Sequence, residues 1–152
     1  MIVAASIGGG DGHYAWGGVE DSVTTIGTFE RAAALSVDPD GNAFVVDAGK
    51  NSLAKFSPRG DRPGVVGGYG WSDLTFDAPV DLSLSSGLDL YVADYGNHRV
   101  QRFDHNLNFV ATLSGRADGD AISFGYPAGV GISRAGVLFI ADGENGRIAV
   151  AN

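Results

Sequence analysis

The sequence LSLSSGLDLYVAD at residues 82–94 contains an apolar run, a turn with Gly, a second apolar run and a final Asp. The same arrangement occurs as LSVDPDGNAFVVD at residues 35–47 and as VGISRAGVLFIAD at residues 130–142. A phenylalanine precedes each final aspartate by 18 positions, and these phenylalanines are 47 and 48 residues apart. A period of that length made of short strands is typical of a propeller blade or another radial array. One such unit cannot bury its faces alone, so the repeat predicts the architecture.

The second copy predicts a complete four-stranded unit. Alternation of apolar and polar residues over 80–84 indicates a half-buried first strand. The aromatic and β-branched residues of 88–93 indicate a second strand. After a turn that begins at Asp94, residues 99–103 and 109–113 predict a third and a fourth strand. Four antiparallel strands joined by short hairpins make one propeller blade.

The repeat organises the 152 residues as one domain of about three blades. The predicted boundaries are 29–67 for the first blade, 76–113 for the second and 124–152 for an incomplete third blade. Residues 2–7 precede two glycines, as Val65-Val66 does in the first blade, and we predict that they form an outer, fourth strand. The expected fold is therefore an all-β propeller segment of four-stranded antiparallel blades.

These motifs resemble the NHL repeat family, whose repeats typically read P-x-G-[IV]-A-[VL]-D and then [IL]-Y-V-A-D-x-x-N-x-R-[IV]-x-x-F. The second copy is similar to that pattern over 79–84 and 90–103, and the third over 140–148. The first copy departs from it, because Ala32 replaces the Pro and Lys50-Asn51-Ser52 replaces the Asn-x-Arg element. Members of the family mostly form six-bladed rings, so the resemblance implies an NHL-type propeller of which three blades would be half.

Asp47, Asp94 and Asp142 each end a predicted strand at a tight turn. A carboxylate at that place can accept backbone N–H bonds and hold the turn. Catalysis or metal binding is the alternative, but a catalytic acid is rarely needed once in every blade. Further predicted structural residues follow the second and third aspartates at fixed spacing: Asn97, Arg99, Asn145 and Arg147. We expect the arginines to pair bidentately and to tie the turn of one blade to its neighbour.

Two aromatic pairs lie outside the repeat. Tyr14 and Trp16 follow the predicted outer strand, and Tyr69 and Trp71 follow the first blade. Both pairs lie in loops that lead from an outer strand to the next inner strand, and such loops share one face of a propeller. Exposed Tyr and Trp would suit a glycan, peptide or protein ligand, and these four are the candidate binding residues. The alternative is that each Trp caps the gap between neighbouring blades.

No motif in the chain points to catalysis or to a resident metal. The histidines show no metal-ligand spacing: His13, His98 and His105. An EF-hand that began at Asp38 would need Gly and Glu where Ala43 and Gly49 stand, so residues 38–42 are predicted to be a tight turn. Residues 118–120 (Asp-Gly-Asp) retain a smaller hint of calcium binding. No nucleophile elbow or phosphate-binding loop is present, and no cofactor is expected.

Composition narrows the class of partner. The formal net charge of −8 without a basic cluster argues against nucleic acid and anionic membranes. No apolar run reaches 18 residues, and the N-terminal residues do not read as a secretion signal. The absence of Cys leaves the redox compartment open, and an extracellular or periplasmic location is favoured.

The sequence favours a binding or scaffolding surface for protein, peptide or glycan, without catalysis of its own. The alternative is a part of a propeller enzyme, such as a lyase, lactonase or esterase, with a metal over the central channel. Half a ring would leave flat apolar faces open, which indicates a missing partner. We expect either the rest of a longer chain or a second copy to close the ring.

Overall fold

A computed structural model of the chain describes residues 3–4, 14–16, 19–21, 24–114 and 123–152. These residues form three stacked antiparallel sheets and two short strand pairs, with one single-turn 3-10 helix. The prediction of an all-β propeller segment is confirmed. No helix in this part of the chain has the length and hydropathy needed to cross a membrane.

Four short strands precede the first blade. They are β1 (Val3–Ala4), β2 (Tyr14–Trp16), β3 (Val19–Asp21) and β4 (Thr24–Thr25). Strand β1 pairs in parallel with β4, and β2 forms an antiparallel hairpin with β3. Residues 2–7 were predicted to be an outer strand; apart from β1 they lie outside the described residues, so that assignment stays a prediction.

The first blade is a sheet in the spatial order β5 (Ala32–Val37), β6 (Ala43–Asp47), β7 (Ser52–Phe56) and β8 (Gly64–Gly67). All neighbouring strands are antiparallel. Strand β6 is buried at every residue. Its Phe44 and Val46 pack against the second blade, and its Ala43 and Val45 pack on the other side beneath Ile26 and Phe29.

The second blade repeats this order with β9 (Pro79–Leu84), β10 (Leu90–Asp94), β11 (Arg99–Phe103) and β12 (Phe109–Ser114). A 3-10 turn at Tyr95–Asn97 joins β10 to β11. The register of β10 against β9 shifts between Ala93 and Asp94, so that Asp94 lies opposite Pro79 and Val80 is the extra residue of a bulge.

The third blade consists of β13 (Pro127–Ile132), β14 (Leu138–Asp142) and β15 (Arg147–Ala151). Strand β14 is central, and β15 forms an edge with no further strand beside it among the described residues.

Blades pack on one another through apolar side chains that alternate along each strand. Phe44 and Leu53 of the first blade share a buried cluster with Leu90, Val92 and Phe103 of the second. A second cluster joins the second and third blades: Val100, Phe124, Leu138 and Ile140. Burying a side chain of this size contributes about 1.5–3 kcal/mol each, so the stability of each blade depends on its neighbour.

Because the strands alternate in direction, the turns after each second strand and the loops that enter each blade lie on the same face of the molecule. We call it the crossover face; its described residues are 26–31, 47–52, 68–78, 94–98, 123–126 and 142–146. The hairpins at 38–42, 57–61 and 104–108 lie on the opposite face. The predicted tight turn at 38–42 is formed, with Asp38 Oδ1 accepting the Asn42 N–H at 2.8 Å.

On the crossover face each blade sets one acidic side chain against one glycine. A Cβ on Gly96 would lie 2.6 Å from Asp77 Cγ, and a Cβ on Gly125 would lie 2.8 Å from Glu144 Cβ. The loop carries the acid in the first two blades and the glycine in the third. The pairs are Glu30 with Gly49, Asp77 with Gly96, and Gly125 with Glu144. The two positions therefore hold one side chain between them.

We expect Gly96→Ala to lower the free energy of unfolding by about 1–3 kcal/mol, because the added methyl group overlaps Asp77. In the Asp77→Gly background the same change should cost much less, since the third blade carries this arrangement. Urea unfolding of the four proteins of this double-mutant cycle measures the coupling. If the two substitutions changed the free energy of unfolding additively, the conclusion that positions 77 and 96 share space for one side chain would be wrong.

Candidate functional site

The carboxylate of Asp94 lies fully buried at the end of β10 and is surrounded by donors. Its Oδ1 accepts the backbone N–H of Asp77 at 2.8 Å. Its Oδ2 accepts from Arg99 Nε at 2.7 Å, Asn97 Nδ2 at 2.9 Å and Gln101 Nε2 at 3.2 Å. Three of these donors converge on Oδ2 and one on Oδ1, so the carboxylate serves as the hydrogen-bond acceptor that holds this turn.

Arg99 fixes the loop that enters its own blade. Its Nη1 donates to the carbonyl of Trp71 at 2.7 Å, and its Nη2 donates to the carbonyls of Ser72 and Thr75, both at 2.9 Å. The expected bidentate pairing with Asp94 is not formed, because the two Nη atoms are used by these carbonyls and Nε alone reaches the carboxylate. The tie to a neighbouring blade that we expected of Arg99 is also wrong, because its acceptors other than Asp94 are carbonyls of the loop that enters its own blade.

Two further side chains hold the same loop. Asn97 Nδ2 donates to the carbonyl of Gly70 at 2.7 Å, and Gln101 Nε2 donates to the carbonyl of Thr75 at 2.7 Å. Gln101 is fully buried, and sequence reasoning missed it, because the equivalent positions are Ala54 and Ala149. Hydrogen bonds from Asn97, Arg99 and Gln101 therefore fix the backbone of the loop at 70–77 along most of its length.

Asp142 builds a smaller version in the third blade. It accepts the Gly125 N–H at 2.6 Å, Asn145 Nδ2 at 2.9 Å and Arg147 Nε at 2.8 Å. Asn145 and Arg147 also donate to the carbonyl of Ser123, at 2.9 and 3.0 Å. Burial opposes ionisation of Asp142, but the bonds from Asn145, Gly125 and Arg147 outweigh it, and the pKa lies below its usual value.

In the first blade, the hydrogen bonds to the carboxylate of Asp47 come from backbone N–H groups. It accepts the N–H groups of Glu30, Arg31, Gly49 and Lys50 at 2.9 to 3.2 Å. The first blade lacks the Asn-x-Arg element, and these amides replace it. Burial alone would raise the pKa of Asp47, but the four bonds outweigh it and lower the pKa.

The links between neighbouring blades come from the position four residues after each aspartate. Asn51 Oδ1 accepts the Ala78 N–H of the second blade at 2.8 Å. His98 Nδ1 accepts the Tyr126 N–H of the third blade at 3.3 Å. Both residues have positive φ, 51° and 54°, a conformation in which Asn and His are enriched. That spacing was the signal by which the sequence could have identified them.

The side chains of Tyr69 and Trp71, at the start of this hydrogen-bonded loop, are exposed to solvent. Their side chains are 71% and 75% exposed, respectively. The Trp71 carbonyl below the indole is held by Arg99. An indole exposed to this degree does not cap the gap between blades, so the packing alternative fails for Trp71.

A second aromatic group lies on the crossover face where the second and third blades meet. The Tyr95 and Tyr126 rings lie 4.9 Å apart between centroids, and the His98 and Tyr126 rings 4.3 Å apart. Sequence reasoning missed the two tyrosines, because neither recurs in the other copies. Stacking at this distance stabilises the junction and leaves Tyr95 partly exposed.

The first predicted aromatic pair, Tyr14 and Trp16, lies before the first blade. Tyr14–Trp16 forms strand β2 instead of the expected loop, and its side chains lie outside the described residues. His13 and residues 118–120 also lie outside them. His105 lies on the opposite face, where its carbonyl accepts from Lys55 Nζ at 2.9 Å. Within the described ranges, no three His, Cys, Asp or Glu side chains are grouped to hold a metal ion.

Three stacked sheets, with the first strand innermost and a loop crossing from each blade to the next, define a segment of a β-propeller. Residues 76–103 match the model of the NHL repeat. The second blade therefore matches the NHL repeat, and the fold of the chain is that of a propeller segment. No curated protein sequence matches the chain.

Solved structures support the same fold. A streptogramin B lyase matches with TM-score 0.57 and 14% identity, over 76% of this chain and 38% of that one. Virginiamycin B lyase from Staphylococcus aureus matches with TM-score 0.57 and 11% identity, over 80% and 41%. An auxiliary nutrient binding protein from Bacteroides thetaiotaomicron matches with TM-score 0.60 and 18% identity, over 78% and 37%. The chain thus spans about two fifths of these proteins or less, and identities this low show the fold alone.

Asp94→Ala is expected to lower the free energy of unfolding by about 1–3 kcal/mol, because it leaves buried donors of Arg99 and Gln101 without an acceptor. Thermal and urea unfolding measure the loss. Asp73→Ala, an exposed aspartate in the loop held by Arg99, is the control and should change stability little. A folded Asp94→Ala protein of unchanged stability would contradict the structural role.

The lowered pKa values of Asp47 and Asp142 predict acid sensitivity. Both carboxyls hold their protons less tightly in the folded chain than in the unfolded chain, where the pKa is about 3.9. Their contribution to stability is therefore complete above that value and is lost as the pH falls through the lower, folded pKa. Melting temperatures over an acid pH series should show this loss, and Asp142→Asn should reduce its slope. If the dependence of melting temperature on pH were the same in Asp142→Asn as in wild type, Asp142 would not contribute to the acid sensitivity.

Proposed function

We propose that this propeller segment is a binding module that presents the crossover face, with Tyr69 and Trp71 at its centre, to a protein, peptide or glycan ligand. The observation that carries the proposal is the exposed Trp71 indole on a loop whose backbone is fixed by Arg99, Asn97 and Gln101. An exposed indole offers a large apolar surface and a polar N–H group, which suit contact with a ligand.

Two physical arguments support binding at this loop. Tyr and Trp offer a large contact area with few rotatable bonds and are enriched among the residues that dominate binding energy. A loop that is already ordered loses little conformational entropy when a ligand binds. Hydrogen bonds to Gly70, Trp71, Ser72 and Thr75 order this one in the free protein.

The repeated aspartates support binding over catalysis. Asp94 accepts four hydrogen bonds and Asp47 accepts four, all from groups of their own turn and entering loop, which is the pattern of a structural acceptor. A part of a propeller enzyme is the second candidate. It is favoured by the fold shared with the streptogramin B and virginiamycin B lyases, which is an analogy of fold and not of site.

The test compares wild type, Trp71→Ala and Val110→Ala on a glycan array and a peptide library. Val110 is an exposed apolar residue on β12, away from the crossover face, and serves as the control. We expect a ligand whose affinity falls at least about tenfold in Trp71→Ala, the loss typical of an aromatic hot spot, and is kept in Val110→Ala. Equal binding by all three proteins would refute the site. Stoichiometric Mg²⁺ or Ca²⁺ by calorimetry with lyase activity would favour the enzyme.

A further inference from the structure

Strand β15 is an open edge in the part of the chain that the structure describes. In the first two blades the third strand is covered, β7 by β8 and β11 by β12. Strand β15 pairs with β14 on one side, and no described strand pairs with its other side. Its sequence, Arg-Ile-Ala-Val-Ala, has no Pro or Lys of the kind that blunts natural edges, so it is available for pairing.

The flat face of the third blade is open as well. Leu53 and Val100 are buried against the following blade, with 0% and 1% exposure. The equivalent residue in the third blade, six positions after its aspartate, is Ile148, and it is 63% exposed. Phe139 and Val150 lie on the same side of the sheet and are 43% and 57% exposed.

The first blade is partly open on the side away from the second blade, where Ile26 and Phe29 cover Val45 and Ala54 but leave other apolar side chains exposed. Leu82 packs against the preceding blade and is 5% exposed, whereas the equivalent Leu35 is 49% exposed. Val37 and Val65 are exposed on the same side. One molecule therefore exposes apolar side chains on both outer sides of its stack of blades.

A cavity of about 380 Å³ adjoins the open edge, between the second and third blades. It exists because Ala151 stands where the first two blades have Phe56 and Phe103. In the second blade Phe109 of the fourth strand stacks on Phe103, with ring centroids 6.2 Å apart, and helps to fill the equivalent space. The cavity therefore has the position of the first side chain of a fourth strand.

Arg102 on the wall of this cavity lacks one hydrogen bond. Its Nη2 donates to Asp89 at 2.6 Å, but its buried Nε has no partner among the described residues. An entering strand brings backbone carbonyls, which are the kind of acceptor that this N–H lacks.

The N-terminal sequence has the pattern of such a strand. Residues 2–8 read IVAASIG and residues 109–115, which include β12, read FVATLSG, with identical Val, Ala and Gly at the second, third and last positions. In this alignment Ile2 takes the place of Phe109. Residues 2–7 carry no charge, so the net charge of −8 does not oppose their burial.

We propose that residues 2–7 of a second copy add to β15 as the fourth strand of the third blade, and that the exchange is mutual. The two-residue pairing of β1 with β4 is replaced by a ladder along β15. Two-fold symmetry then brings the Leu35 face of each copy onto the Ile148 face of the other, and two sets of three blades close one ring. This surface is separate from the ligand loop.

The ladder of β11 with β12 supplies the register. Gln101 pairs with Thr112, and Phe103 pairs with Phe109. Transferred to the new strand, this register sets Ala149 opposite Ala5 and Ala151, which lines the cavity, opposite Ile2. Directly opposed residues of an antiparallel pair approach closely enough for a disulfide between substituted cysteines.

The chain contains no cysteine, which makes a cross-linking test unambiguous. Ala5→Cys and Ala149→Cys are made as separate proteins, mixed, partly unfolded and refolded together, and then oxidised. We expect a disulfide-linked band at twice the chain mass in the mixture and none from either variant alone. A mixture that stays uncross-linked, or a double variant that closes a disulfide within one chain, would overturn the proposal.

Light scattering provides a second readout. Wild type should be a dimer at high protein concentration. Ile148→Lys should weaken dimerisation at least about tenfold, because the equivalent Leu53 and Val100 are buried between blades. Its circular dichroism spectrum should be unchanged, because Ile148 is exposed in the single copy. Asp104→Lys, in a hairpin of the opposite face, is the control for added positive charge. A wild-type protein that is monomeric at every concentration would also overturn the proposal.

Discussion

The buried carboxylate of Asp94 is the constraint on which the second blade depends. A charge removed from water is stable only when its hydrogen bonds are replaced, and here Asp77, Asn97, Arg99 and Gln101 replace them. Arg99 is in turn held by the carboxylate, which leaves its two Nη atoms to bind the carbonyls of the entering loop. The loop therefore has a fixed shape, although it makes no strand ladder of its own.

The three blades meet this constraint in different ways. The third uses Asn145 and Arg147, whereas the first uses four backbone amides around Asp47. The aspartate is common to all three because its geometry joins the end of the second strand to the residues that precede the first. The donors vary because any N–H group at the right distance satisfies the carboxylate.

The sequence predicted the strands and the three aspartates well, because alternation and a fixed repeat reflect local physics. It could not predict Gln101, since the other blades have Ala at that position and the bond to Thr75 depends on a loop whose path the sequence does not specify. The expected bidentate role of Arg99 was wrong for the same reason. Asn51 and His98 were within reach, because their spacing from the aspartate recurs, but the blade that they contact is a matter of tertiary packing.

Function is the least predictable level, since the same propeller fold occurs in lyases and in a nutrient binding protein. The pattern Tyr-x-Trp indicated a surface, and the exposure of Trp71 was needed to separate a displayed side chain from a packed one. The position of Trp71 depends on the hydrogen bonds from Arg99 to the carbonyls of the loop. The candidate binding site and the cluster around Asp94 therefore depend on the same residues.

Hydrogen exchange of the backbone amides at 70–77 tests this claim most directly. Arg99→Lys keeps the positive charge beside Asp94 but removes the planar group that reaches three carbonyls. We expect exchange at 70–77 to accelerate in this variant, while the amides of β13 and β14 keep their wild-type rates. Unchanged exchange at 70–77 would show that the loop is ordered without the hydrogen bonds from Arg99, and would contradict the claim that the Asp94 cluster orders it.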